Sequence, residues 1–339
     1  MPQIVENIDL EEAKANFLEL KQHYASHLTF INQNIQSCLN SENKQLKEIS
    51  LQIKNSPGKQ FRPLLSLIVA DAFGEINEHV HHYATAVELI HNASLIHDDI
   101  LDDSPLRRGL ETPHKKWGTK NAVLLGDYLF SVGYRQVLKT PDDTCRDDLP
   151  RVASLMCESE LLQSDSKFSH YPNEENYLKI IDGKTASLFG ISAGAGCLLS
   201  GGTQEQKKLM EQCGLLLGRA FQIMDDWLDY YQAGKKDGKP RGSDISAGIF
   251  TLPIIKMIAQ ASKEEKESLD NIIFNGDFIG FNSPVIKSID EKYGITQDVL
   301  SNAQKYIKDS YELFEKATPI NSKHHFEQFS QSIVISDPQ

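Results

Sequence analysis

The sequence predicts an all-α fold on three observations. Apolar and small residues recur at three- and four-residue spacing over 10–31, 78–97, 119–138, 176–199, 205–231, 249–260 and 295–315. Alternating runs of β-branched residues are nearly absent, SIVIS (332–336) being the one short strand candidate. Turn-forming clusters separate the periodic stretches: NSPGKQ (55–60), KTPDDT (139–144), SHYPNEE (169–175), GKKDGKPRGSD (234–244) and NGDFIGFNSP (275–284). None is long enough for an interdomain linker and no fixed-period repeat occurs. Residues 1–339 therefore read as one large domain, with an N-terminal helical segment over 1–50 and a frayed tail at 336–339.

Composition narrows the function classes. Forty per cent hydrophobic and 24 per cent charged residues suffice for a sizeable core. A formal net charge of −12 leaves no basic stripe to neutralise phosphates, which excludes a nucleic-acid partner. Cys38, Cys145, Cys157, Cys197 and Cys213 show neither zinc-ligand nor redox spacing and read as reduced, mostly buried thiols. The opening MPQIVENIDLEEAKANF has no basic-then-apolar leader and no arginine-rich presequence, which predicts a cytoplasmic protein. The uncharged stretch TASLFGISAGAGCLLSGGTQ (185–204), with its Gly190/Gly194 pair, is long enough for a bilayer. Its many small residues and the break at Gly201–Gly202 favour a closely packed core helix.

Two acidic groups stand out. The segment HVHHYATAVELIHNASLIHDDILDD (79–103) reads as one helix on which Asp98 and Asp102 lie one turn apart, with Asp99 beside them. GRAFQIMDDWLDYY (218–231) repeats the spacing with Asp225, Asp226 and Asp229. A single DDxxD is usually only a solvated helix face. Two of them, each emerging from an apolar helix, point to function. Hard carboxylate oxygens suit Mg²⁺, which completes its shell with water and substrate phosphate. Two such helices facing each other would hold several Mg²⁺ ions around one diphosphate.

Cations accompany both groups. Arg107 and Arg108 follow the first at the loop expected to end its helix. GKQFRP (58–63) places Lys59 and Arg62 at a helix start, with Pro63 suited to the first turn. Lys184 and Thr185 are expected at the N-terminal end of the long uncharged helix, where the dipole favours an anion. Lys239 lies in the Gly-rich loop after the second group. Each alone is more often a surface cation. Together they suggest two anion sites, one bridged by metal and one bound by Lys and Arg.

GKQFRP, ELIHNASLIHDDILDDSPLRRG, GDYLF, GKTASLF, FQIMDDWLDY and GKPRGSD…TLPII occur in an order that resembles the trans-isoprenyl diphosphate synthases, most of all their medium- and long-chain polyprenyl members. The resemblance covers roughly residues 55–260. It implies an all-α isoprenoid-synthase bundle around a deep central cavity, in a homodimer. It implies about three Mg²⁺ on an allylic diphosphate (farnesyl or geranyl), held by Asp98, Asp99, Asp102, Asp225 and Asp229, with Asp226 acting through metal-bound water. Arg107, Lys184 and Lys239 would contact that diphosphate beside Thr185 and Gln222, while isopentenyl diphosphate would bind Lys59, Arg62, His91 and Arg108. His97 is left structural. Many members carry a lysine just before the TLP segment; Ile249 stands there instead.

The product would grow down the first aspartate helix, one isoprene unit per turn of about 5.4 Å. Ala93 and Ser94, one turn below Asp98, are small where short-chain members often carry an aromatic residue, and Ile90, Val87 and Ala86 lie deeper. That predicts a product of more than fifteen carbons, about thirty to forty-five by this geometry, with transient membrane-surface contact for its release. Three rival readings compete with this one. A terpene cyclase has no need of GKQFRP, and a phosphohydrolase around His97–Asp98 leaves the second aspartate group unexplained. The third is the catalytic subunit of a heteromer that needs an accessory chain.

Overall fold

Helix boundaries follow the side chains that can cap them. A computed structural model describes residues 10–168, 173–231, 243–274, 283–318 and 323–334. Helices α1 (Leu10–His23), α2 (Ala25–Cys38), α3 (Lys44–Asn55) and α4 (Phe61–Phe73) lead to α5 (Glu78–Leu101), which carries the first aspartates. Asn43 caps α3 by accepting from the Leu46 amide, and Asn77 caps α5 by accepting from His79 and Val80. A hairpin of two-residue strands, β1 (Leu106–Arg107) and β2 (Leu110–Glu111), follows. Both of its turn residues, Arg108 and Gly109, have positive φ (52° and 75°), as a two-residue hairpin turn requires.

The chain continues through α6 (Pro113–Trp117), α7 (Thr119–Val137) and α8 (Asp143–Asp165), the last capped by Asp142. Next come α9 (Glu174–Ile181), a π-helical turn (Asp182–Ala186), α10 (Ser187–Leu199) and α11 (Gln204–Tyr231), which carries the second aspartates. The remaining helices are α12 (Ser243–Ser246), α13 (Leu252–Gln260), α14 (Lys263–Phe274), α15 (Pro284–Tyr293), α16 (Ile295–Ala317) and α17 (Lys323–Ser332). Gly294, at φ 65°, turns the chain between α15 and α16.

At the centre, α10 packs on α4, α8 and α11; α11 in turn packs on α16, and α5 on α2, α4 and α7. Every residue of α10 except Leu198 is buried, so the uncharged stretch is a core helix, and no helix among the described residues is long and apolar enough to cross a membrane. Its small residues permit near-contact of backbones. A Cβ built at Gly214 would come within 2.4 Å of the Phe189 carbonyl oxygen, and one at Gly196 within 2.5 Å of the Ser66 carbonyl oxygen. Gly214→Val should therefore force α10 and α11 apart and cost about 1–3 kcal/mol, read as a lower urea midpoint at unchanged m-value.

Three expectations change. The 10–31 stretch is two helices, broken at Tyr24, which leaves helical geometry (φ −93°, ψ 15°). Lys184 and Thr185 sit in the π-turn, inside a helix continuous from α9 into α10. Their amides are not the free donors of a helix start, so the dipole contribution expected there is lost and only the side chains remain. Ile333 and Val334 of SIVIS form a buried turn after α17 rather than a strand. Among the described residues all five cysteines are unpaired: Cys145, Cys197 and Cys213 are buried and Cys157 is exposed.

Candidate active site

The first acidic group is split by helix geometry. Asp98 and Asp102 share a face, whereas Asp99, about 100° further round, is 1% exposed and is gripped by Arg107, whose Nε donates to both carboxylate oxygens at 2.8 and 2.9 Å. Asp99 and Arg107, expected as metal ligand and diphosphate contact, are thus bound to each other, and their pair fastens the hairpin to α5. Burial pushes the Asp98 carboxyl up to about 6, with Lys184 opposing and Glu160 and Asp102 reinforcing the shift. Lys184 lies 2.5 Å from Glu160 on α8. Burial works against its charge, but Asp98, Glu160 and Asp102 hold its pKa above the usual lysine range.

The Lys184 position is built by neighbours. Arg219 on α11 donates through Nε (2.5 Å) and Nη2 (2.7 Å) to the Asp182 carboxylate and so pins the π-turn. Gly183 packs against α8 so closely that a Cβ there would lie 1.8 Å from Ser159 Oγ. The glycine of GKT is thus a packing requirement that brings Lys184 beside Glu160.

The second group is split in the same way. Asp226 is 6% exposed; its Oδ2 accepts from the Tyr177 hydroxyl at 2.7 Å and its Oδ1 from Gln222 Nε2 at 2.8 Å. Thr185 donates to Gln222 Oε1 at 2.7 Å, so Thr185, Gln222, Asp226 and Tyr177 form one chain that ties the π-turn to α11 and α9. Burial raises the Asp226 pKa to about 7 despite these donors. Asp225 and Asp229 are half-buried on the neighbouring face.

Asp244, on α12, joins the two groups. Burial, then the charges of Asp229, Asp226, Asp225 and Asp102, push its carboxyl well above the usual range. One side chain thus lies within charge range of both aspartate helices. Among the described residues the site gathers hard carboxylate oxygens on four helices around the pinned Lys184, an excess of negative charge that divalent cations with oxygen preference would relieve. The residues present fit Mg²⁺. Glu160 and Asp244 escaped the sequence reading; Lys239 lies outside the described residues.

Crowded carboxylates cost the metal-free fold stability. The folded pKa of Asp98 is about 6, above the ordinary 3.8, so the folded state binds the extra proton between those values. Stability is then full below about pH 4 and falls as pH rises through 6. Asp98→Asn should accordingly stabilise the metal-free chain by roughly 2 kcal/mol at pH 7 and by far less at pH 4, as read from urea titrations in EDTA.

The cationic group assembles at the start of α4. Arg62 is 9% exposed, stacked 4.7 Å over the Phe189 ring, and burial lowers its pKa to about 10 while Glu88 opposes. Its Nε has no hydrogen-bond partner, an arrangement costly unless an acceptor arrives. Burial first, then Arg62, Arg108 and Arg107, hold the His91 imidazole well below its usual pKa. Arg108 Nη1 donates to the Ser56 carbonyl at 2.8 Å, and its guanidinium covers Gly58, where a Cβ would lie 2.3 Å from Nη2. Lys59 Nζ sits 5.5 Å from the Phe61 ring centroid. Gln60 (φ 57°), Asp103 (φ 48°) and Arg108 (φ 52°) take left-handed backbone, strain of the kind that concentrates at functional loops. The sequence reading had missed Glu88, which is 3% exposed beneath Arg62 and Arg108.

His97 faces the other way. Its Nε2 lies 3.2 Å from the Val123 carbonyl and packs where a Gly126 Cβ would be. It turns towards α7, which removes it from any metal-ligand role beside Asp98.

Residues 43–278 match the family model described as polyprenyl synthetase. The chain is similar to a short chain isoprenyl diphosphate synthase of Methanothermobacter thermautotrophicus, 35% identical over 264 residues that cover 76% of this chain and 80% of that one. It is also similar to the octaprenyl diphosphate synthase of Escherichia coli, 30% identical over 275 residues (81% and 85%). Among solved structures, a polyprenyl synthase from Caulobacter crescentus, complexed with calcium and isoprenyl diphosphate, superposes with TM-score 0.83 at 29% identity, covering 94% of this chain and 97% of that one.

Proposed function

The chain belongs to the polyprenyl synthetase family of prenyltransferases, and we propose on that premise that it is a trans-polyprenyl diphosphate synthase acting as one domain. It joins isopentenyl diphosphate head-to-tail (1′–4) to an allylic diphosphate, farnesyl or geranyl, and repeats the step. The observation that carries this reading is Asp244, in charge range of both aspartate helices. The clusters then serve one ligand.

About three Mg²⁺, held by Asp98 and Asp102 on one side and Asp225 and Asp229 on the other, would neutralise the allylic diphosphate and stabilise it as a leaving group. Lys184, clamped by Glu160, presents a fixed positive charge to the same group. Thr185 and Gln222 orient Asp226 and so set the second face. Arg62, Arg108, Lys59 and the neutral His91 supply donors for the isopentenyl diphosphate, whose phosphate would take up the idle Arg62 Nε. As the allylic C–O bond breaks, the isopentenyl double bond attacks the allylic carbon, and the proton then lost goes to the released diphosphate. No protein nucleophile is required.

A product longer than fifteen carbons, about thirty to forty-five by one unit per turn, is supported by the small or moderate size of the α5 side chains below Asp98, with no aromatic residue at Ala93 or Ser94. Ala86, Val87, Ile90 and Ala93 are all inaccessible, and Ser94 is half-buried. The homodimer, cytoplasmic location and transient membrane contact belong to the same proposal. Ile249 favours keeping the heteromer as a second reading, because an apolar side chain follows Asp244 by five residues where a cation would balance it.

The deciding experiment incubates the purified chain with Mg²⁺, farnesyl diphosphate and labelled isopentenyl diphosphate, with products resolved by reversed-phase chromatography. A ladder of longer prenyl diphosphates is expected. No elongation alone but elongation with an added subunit identifies the heteromer; cyclised hydrocarbon from the allylic substrate alone removes the synthase reading.

A further inference from the structure

The chain brings His23, Asp71 and His325 together on the face of α4 away from the cationic group. One ligand atom from each lies within 4.8 Å of the other two. We propose that these three side chains form a binding site for a divalent transition-metal ion of the zinc class, separate from the aspartate site. The residues come from the end of α1, the last turns of α4 and the first turn of α17. Asp71 is nine residues beyond Arg62, about 13 Å along the helix.

The donor set decides the class of ion. Two imidazole nitrogens and one carboxylate oxygen suit Zn²⁺ and its neighbours, not Mg²⁺. Tetrahedral zinc holds such atoms about 2.0–2.2 Å from the metal, hence about 3.3 Å from one another. The three side chains already adjoin: the His325 ring reaches to 3.8 Å of Asp71 Oδ2, and the His23 and His325 ring centroids are separated by 4.3 Å. His23 and Asp71 are exposed and His325 half-buried, so side-chain rotation can close the remaining distance, and the fourth position is open to water.

A second observation supports the site. Tyr24 is 1% exposed, yet its hydroxyl emerges between two of the ligands, 2.9 Å from Asp71 Oδ2 and 2.9 Å from His325 Nδ1. It donates to the carboxylate and accepts from His325 Nδ1–H, the outer hydrogen bond that leaves Nε2 as the ring nitrogen for the metal. The helix that delivers His325 is fixed to α1 by Gln328 donating to Glu19 and by Ser332 donating to the Ala13 carbonyl. A bound ion would fasten the first and last described helices to α4.

The test uses Co²⁺ as a spectroscopic probe on the tag-free, EDTA-treated full chain. One equivalent of Co²⁺ should give the intense visible band of tetrahedral nitrogen-containing coordination, which the oxygen-only aspartate site does not produce, and Zn²⁺ should bleach it. His23→Ala and His325→Ala should each lower the band at least tenfold; Asp98→Asn should leave it unchanged. Zn²⁺ should also raise the melting temperature of the parent chain and not that of the double variant. Absence of the band overturns the site. So does a band that survives both histidine variants, or one lost in His81→Ala, which would place the ion at the His27–His81 pair, or one lost in Asp98→Asn.

Discussion

Asp98→Ala should lower the initial rate of isopentenyl incorporation by about a thousandfold or more at saturating Mg²⁺, while raising the stability of the metal-free chain. The two effects have one cause. Asp98 is a carboxylate kept in a cleft that disfavours its charge, pushed up to about 6 by burial and by Glu160 and Asp102. A cation or Lys184 relieves that cost; truncation removes it outright. The Lys184 ammonium would keep Glu160 but lose one of the acids that raise its pKa. A purely structural aspartate would behave oppositely and lose stability with activity. Asp103 is the control within the same sequence run: its carboxylate is exposed and engaged by Lys115 at 2.5 Å and His114 at 3.3 Å. Asp103→Ala should change the rate by less than about twofold, as exposed ion pairs contribute little. Labelled-product assays and urea titrations of both variants check this; an Asp98→Ala rate within tenfold of the parent removes Asp98 from the leaving-group site.

The helices that build this cleft were legible because apolar and small residues recur in them at three- and four-residue spacing. The periodic stretches 78–97 and 205–231 needed only that signal, and fall within α5 and α11. What escaped is set by partners distant in the chain. Asp226 differs from Asp225 because Tyr177, 49 residues earlier, and Gln222 occupy its oxygens. Asp99 differs from Asp98 because Arg107 folds back onto it. A DDxxD string by itself shows three equivalent acids; the resemblance set Asp226 apart as acting through metal-bound water, and the packing instead holds its oxygens with Tyr177 and Gln222. Glu160 gave no local signal, being one acid on a long helix, and Asp244 closes the GKPRGSD stretch as a single aspartate to which no role was given. The π-turn misled for a different reason. The uncharged run begins at Thr185, but hydrophobicity changes there without any break in the backbone, because Arg219 holds Asp182 inside the helix.

Ala93→Tyr should shorten the product to about fifteen to twenty carbons, by the relation of one unit to one turn, with the first condensation slowed less than about tenfold. Ala93 lies five residues before Asp98 and is wholly inaccessible, so a phenol ring there must occupy space that something else now uses. If the neighbours that fill that space part as the product grows, the ring blocks the opening they would make. If they stay packed, overpacking costs about 1–3 kcal/mol and the product stays the same. Melting temperature and product length, measured on the same preparation, separate the two. Val87→Phe sharpens the result. Val87 lies between one and two turns deeper on α5, so it should also truncate the product but at a longer length than Ala93→Tyr. Ile90 is a poorer probe, since its Cδ1 is already close enough to α7 that a Gly133 Cβ would meet it at 3.1 Å. An ordered pair, with the deeper substitution giving the longer product, makes α5 the ruler. Equal products from both variants place the limit elsewhere.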